Sequence, residues 1–207
     1  MDITPTLLAA VEAICRRAGD AILEVYGSDF EVKGKADASP VTAADERAEA
    51  LITPALAALT PGIPIVAEEA VAGGAVPDVS GGRFWLVDPL DGTKEFISRN
   101  GEFTVNIALV EQGVPVLGVV LAPALGRLYT GARGLGAWVE DEHGRRAIHC
   151  RAVPEAGLAV VASRSHGDAA ALDAFLAGRK VAQLVSAGSS LKLCLVAAGQ
   201  ADLYPRL

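Results

Sequence analysis

The chain has 207 residues, of which 51% are apolar, 5% aromatic and 21% charged; that is enough for one large domain or two small ones around a shared core. Its net charge of −7 argues against a nucleic-acid polymer or an anionic membrane as the main partner. A small anionic substrate stays open, because bound divalent cations can reverse the local field.

The first residues, Met1-Asp2-Ile3-Thr4-Pro5, lack the basic start and apolar centre of a signal peptide, and no apolar run reaches membrane-spanning length. Residues 5–25 place Leu7, Leu8, Val11, Ile14, Ala18, Ala21, Ile22 and Val25 at helical spacing, predicting an amphipathic first helix. Residues 33–40, Lys-Gly-Lys-Ala-Asp-Ala-Ser-Pro, read as a polar loop. A second helix starts at Thr42, with Ala44, Ala48, Leu51 and Ile52 on one side; Pro54 should kink it or begin a new segment.

Short strands are expected at 64–67, 84–87, 103–110, 116–121, 127–131 and 137–140, with residues 71–82 as a glycine-marked mobile surface loop. The stretch 151–154 marks a boundary, dividing an N-terminal α+β unit (1–152) from a C-terminal α/β unit (153–207). In the latter a strand at 158–162, a helix at 168–176, a strand at 181–185 and a helix at 189–201 alternate. Cys15, Cys150 and Cys194 are odd in number and far apart, with no CxxC pair; they read as buried or half-buried free thiols in a reducing cytoplasm.

Chemistry concentrates at Trp85-Leu86-Val87-Asp88-Pro89-Leu90-Asp91-Gly92-Thr93-Lys94-Glu95-Phe96. Here an apolar strand ends in two carboxylates three residues apart. A turn fixed by Pro89 and loosened by Gly92 can aim Asp88, Asp91 and the Leu90 carbonyl at one point, the oxygen cluster that a hard cation such as Mg²⁺ requires. Gly92 and Thr93 would add backbone N–H groups suited to a phosphate. The same letters also fit a plain turn with acidic helix caps.

Ile65-Val66-Ala67-Glu68-Glu69 repeats the theme, and only one of its two glutamates can face the site, since neighbours on a strand point to opposite faces. A solvated acidic loop is the alternative. Thr42 and Asp45 fit a capping box, although Asp45 can also project toward the metal centre and share a water's proton with Thr93.

The combination of Val41-Thr42-Ala43-Ala44-Asp45, Val66-Ala67-Glu68-Glu69 and Asp88 to Phe96 resembles the lithium-sensitive, magnesium-dependent inositol monophosphatase superfamily. Lys94-Glu95 after the Asp-Gly-Thr, Ser163-Arg164-Ser165-His166 and Gly188-Ser189-Ser190-Leu191-Lys192 are similar to its bacterial 3′(2′),5′-bisphosphate nucleotidase branch. That resemblance implies a layered αβαβα sugar-phosphatase-like fold with metal on the N-terminal unit and the substrate side on the C-terminal one.

It further implies metal binding by Glu68, Asp88, Asp91 and the Leu90 carbonyl, with two or three Mg²⁺ ions. Asp45 and Thr93 would activate the attacking water, and the Gly92 and Thr93 backbone would hold phosphate. His166, Ser189, Lys192 and Arg206 would contact substrate. Read from the residues alone, Ser189 and Ser190 are helix caps, Lys192 is a solvated helix residue, and His166 is exposed or ligand-facing.

The implied reaction removes the 3′-phosphate of adenosine 3′,5′-bisphosphate to give AMP, recycling a by-product of sulfate assimilation. Inositol or sugar phosphates are the alternative substrates. The superfamily normally continues past a segment like Leu203-Tyr204-Pro205-Arg206 with a Trp-Asp-x-Ala-Ala/Ser-Gly stretch whose Asp serves the second metal. Its absence before Leu207 implies a C-terminally incomplete fold, a weakened second site and, as a further alternative, a non-catalytic remnant. A homodimer and peripheral attachment at the inner membrane face stay open.

Overall fold

The computed structural model describes residues 2–29, 31–34, 40–164 and 168–207. Helix α1 (Pro5–Tyr26) starts where the Thr4 hydroxyl accepts the Leu7 N–H at 3.1 Å, with Pro5 at the first helical position. Its buried face is the predicted stripe without Ala21, which is half-buried, and with Glu12, Cys15 and Gly19 added. Strands β1 (Val32–Gly34) and β2 (Pro40–Thr42) pair antiparallel, so the ends of the expected loop are a short hairpin; residues 35–39 lie outside the described residues.

Helix α2 (Ala43–Leu59) runs through Pro54. Pro54 is exposed, so water can serve the carbonyl that its missing N–H leaves without a helical donor. Strand β3 (Ile65–Ala67) leads directly into the short helix α3 (Glu68–Ala72), and a surface loop continues to β4 (Arg83–Asp91). Helix α4 (Thr93–Ile97) is followed by β5 (Thr104–Glu111) and β6 (Val114–Ala122). Those two strands join through Gln112 and Gly113, whose φ values of 49° and 77° put both in the left-handed region of a tight hairpin turn.

Strands β7 (Arg127–Ala132), β8 (Gly136–Asp141) and β9 (Gly144–Ala147) complete a seven-stranded sheet in the order β3-β4-β5-β6-β7-β8-β9, in which only the β3–β4 pair is parallel. β9 was not expected from sequence. Its residues are all exposed and polar or small, so it carries no apolar alternation.

Helices α1 and α2 cover one face of this sheet with Val11, Ile22, Ile52 and Leu56 against Trp85, Val105, Ile107 and Leu109. Gly19 permits the close approach, since a Cβ there would meet the Leu121 side chain at 2.5 Å. Strand β10 (Leu158–Ser163), helix α5 (Ala169–Leu176) and strand β11 (Val181–Ala187) form a parallel β-α-β unit. Helix α6 (Leu191–Ala197) packs Leu191 and Cys194 onto Ala122, Tyr129 and Val139, on the opposite sheet face. It is shorter than expected because Gly199, at φ 66°, reverses the chain and the Ala201 N–H returns to the Leu195 carbonyl.

The result is a layered α/β architecture with a mixed sheet. The three cysteines are free; Cys150 is exposed, contrary to expectation, while Cys15 and Cys194 are buried. Among the described residues no helix is long and apolar enough to cross a membrane.

Candidate active site

The acidic segment is a bulged strand rather than a turn. β4 pairs with β5 through Asp88↔Asn106 and Asp91↔Thr104, so three steps on one strand match two on the other. Three regular steps would send the two carboxylates to opposite faces. The extra residue restores parity, and Asp88 and Asp91 share a face with Thr104 and Asn106. Leu90 points the other way, into the core, at 2% exposure.

The parallel register Ala67↔Val87 brings the residues that follow side by side, namely Glu68 at the start of α3 and Asp88 on β4. They are hydrogen-bonded through their side chains. Burial, then the charges of Asp91 and Glu68, push the Asp88 carboxyl up to about 8. Asp91 is also raised by burial, against the Ser190 N–H and the Lys192 charge, which favour its ionised form.

Asp45 caps α2 with one carboxylate oxygen and turns the other toward Thr93. Its Oδ2 accepts the Thr42 N–H and the Thr42 hydroxyl, each at 2.8 Å, and the Thr42 oxygen accepts the Ala44 N–H at 3.1 Å. The capping box therefore holds the carboxylate, and Oδ1 faces the Thr93 hydroxyl at 3.5 Å. The Leu90 carbonyl lies the same 3.5 Å from that hydroxyl. Asp45 is 1% exposed.

Gly92 opens α4 in the left-handed region at φ 91°, between Asp91 and Thr93. Ser189, itself at φ 46°, lies against it. Ser190 does not cap α6 with its side chain as expected. Its hydroxyl donates to Asn106 Oδ1 at 2.7 Å and lies 2.9 Å from Thr104 Oγ1, which accepts from Asn106 Nδ2 at 3.3 Å. The α6 start is thereby tied to the strand residues opposite Asp88 and Asp91.

Glu102 adds a second tie. It pairs with Arg164 at 3.0 and 2.9 Å and accepts the Gly188 N–H at 2.7 Å. Neither tie is marked by a sequence pattern, since each joins residues more than sixty apart.

Lys192 is buried, not solvated; burial lowers its pKa while Asp91 and Glu95 oppose the shift. Its ammonium stands 5.5 Å from the centre of the Tyr204 ring, and Arg206 is exposed and near enough to act on it. His166 lies outside the described residues. Asp202 is committed elsewhere, to Arg151 at 2.8 and 3.1 Å and to the Ala159 N–H at 2.7 Å.

Among the described residues no three Asp, Glu, His or Cys side chains form a preassembled metal cluster. The donors present nevertheless fit a hard cation. Asp88 Oδ1 is buried and accepts no hydrogen bond, and the two carboxylates beside it repel its charge.

Residues 2–207 match the inositol monophosphatase family. A 3′(2′),5′-bisphosphate nucleotidase CysQ of Escherichia coli is 52% identical over 203 residues, 97% of this chain and 80% of that protein. An inositol-1-monophosphatase of Mycobacterium leprae is 35% identical, covering 95% of this chain and 70% of its own. The crystal structure of CysQ from Bacteroides thetaiotaomicron superposes with a TM-score of 0.77 at 39% identity, over 97% of this chain and 79% of that one. The chain belongs to the inositol monophosphatase family.

Proposed function

We propose that the chain is a Mg²⁺-dependent phosphate monoester hydrolase that removes the 3′-phosphate of adenosine 3′,5′-bisphosphate to give AMP. The observation that carries the chemistry is the β4 bulge, which sets Asp88 and Asp91 on one face beside Glu68, with Thr93 held over buried Asp45. The choice of substrate is supported by the nucleotidase relative at 52% identity.

Glu68, Asp88, Asp91 and the Leu90 carbonyl would hold Mg²⁺. Bound there, the ion supplies charge neutralisation for phosphate and acidifies water. Thr93 donates its hydroxyl proton to Asp45 Oδ1, which leaves the Thr93 oxygen lone pairs to accept a proton from the attacking water. The water oxygen bonds to phosphorus as the bond to the 3′-oxygen breaks, and that oxygen takes a proton from solvent water, matching the one the attacking water gave up, to become the 3′-hydroxyl of AMP. Gly92 and Thr93 contribute backbone N–H groups at the α4 start, while Ser189, Lys192 and Arg206 line the side from which the nucleotide approaches.

The inositol-1-monophosphatase relative supports a second reading, hydrolysis of an inositol or sugar phosphate by the same residues. Phosphate release from adenosine 3′,5′-bisphosphate and from inositol 1-phosphate, at equal concentration in Mg²⁺, separates the two. A kcat/KM at least tenfold higher for the nucleotide is expected. A preference for inositol 1-phosphate refutes the nucleotide assignment, and release from neither refutes the phosphatase reading.

A further inference from the structure

The helix that begins at Glu68 has no acceptor of its own for its first amides. Its N-cap is Ala67, which makes no side-chain cap. The acceptor comes from twenty residues upstream: Glu49 Oε2 takes the Glu69 N–H and Glu49 Oε1 takes the Ala70 N–H, each at 2.8 Å. Both oxygens of one carboxylate thus close on consecutive amides, a geometry that fixes direction as well as distance.

Glu49 stands one helical turn after Asp45 on α2, so the two acids share a face of that helix. Ala48, Ile52 and Leu56 anchor α2 in the core. From this one rigid element, Asp45 reaches the Thr93 hydroxyl and Glu49 reaches the residues next to Glu68.

We propose that Glu49 is a positioning residue for the metal centre: it fixes the β3–α3 corner and so holds the Glu68 carboxylate beside Asp88. The inference rests on the Mg²⁺ reading of the site. Two features make the corner sensitive to it. Glu68 is the first residue of a helix of five and its side chain meets Asp88, so that meeting depends on where the corner is held. The Glu68 side chain is exposed, so core packing does not hold it either. A purely structural cap would lower the melting temperature and leave metal affinity alone, whereas supports of ligating carboxylates change affinity by about 10–100-fold.

The native chain, Glu49→Gln and Glu49→Ala are compared by thermal melting across a MgCl₂ titration, and by amide hydrogen exchange in metal-free buffer. Gln keeps one acceptor and turns an NH₂ group toward the other amide. The Glu69 and Ala70 amides should exchange at least tenfold faster in both variants. Half-saturating Mg²⁺ should rise about 10–100-fold, less for Gln than for Ala. If Glu49→Ala does not fold, Glu49→Gln decides alone.

A native chain that responds to Mg²⁺ and variants that respond at the same concentration overturn the role of Glu49 only. A native chain indifferent to Mg²⁺ overturns the metal reading and this inference with it.

Discussion

Replacing Gly92 by Ala inserts a methyl group at the joint between Asp91 and Thr93. Two effects add. The backbone there has φ 91°, a conformation that costs an L side chain about 1–2 kcal/mol. The new Cβ would also lie 3.1 Å from Ser189 Cβ, 3.2 Å from the Glu102 carbonyl oxygen and 3.3 Å from Glu95 Oε2. None of these can swing away freely, since Ser189 is continuous with the anchored Ser190, Glu102 presents backbone, and Glu95 is 5% exposed. A further ~1 kcal/mol of crowding follows.

The total of about 2–3 kcal/mol corresponds to a melting temperature lower by roughly 5–10 °C for a chain of this size. Because the displaced atoms flank Asp91 and Thr93, kcat for phosphate release should fall at least tenfold. Gly113→Ala is the control: φ is 77° and nothing lies within 4 Å, so it carries the backbone cost without the crowding. Circular-dichroism melts and steady-state phosphate release are measured on both. Equal losses of stability and equal activity in the two variants would refute the claim that the β4–α4 joint is packed tightly enough to set the geometry of the site.

Asp88 dictates a pH dependence in metal-free buffer. Its folded carboxyl, pushed up to about 8 by burial and its neighbours, binds more protons than in the unfolded chain between about pH 4 and 8. Stability from this group therefore falls as pH rises through that window. Asp88→Asn should melt higher than the native chain at pH 8.5 and nearly equal to it at pH 4, while losing phosphatase activity; a lower melting point at pH 8.5 would contradict the proximity of the three carboxylates. Thr60→Val removes the buried acceptor of the Trp85 indole N–H, 2.8 Å away, at the end of β4 far from Asp91. An unpaired buried donor costs about 1–3 kcal/mol, so the melting point should drop by roughly 2–10 °C with kcat unchanged at 25 °C; a loss of activity at equal folded fraction would show coupling along β4 that the structure does not predict.

Elements whose identity is set by local pattern were readable from sequence. The α1 helix, the two strands β5 and β6 and the β10-α5-β11 succession were each expected from local pattern, and the structure reproduces them within a few residues. The acidic segment was legible as a site but not as a shape. Asp, Pro and Gly spell a turn, yet β5 pairs with Asp91 across a bulge, and that long-range pairing decides the faces of the carboxylates. Asp45 was ambiguous between cap and site because the two readings use different oxygens of one carboxylate. Glu49, Glu102 and Asn106 escaped notice for a common reason: each acts on a partner twenty or more residues away. Lys192 read as a solvated helix residue because its burial comes from packing against another element.

The central claim is that the carboxylates on β4 make a magnesium-dependent phosphatase centre. Its most direct test is phosphate release from adenosine 3′,5′-bisphosphate by the native chain and by Asp91→Asn, each in millimolar Mg²⁺ and again in excess EDTA. The account predicts turnover by the native chain in Mg²⁺ alone, and a loss of orders of magnitude in folded Asp91→Asn. Native-like activity in Asp91→Asn, or undiminished turnover in EDTA, would contradict it.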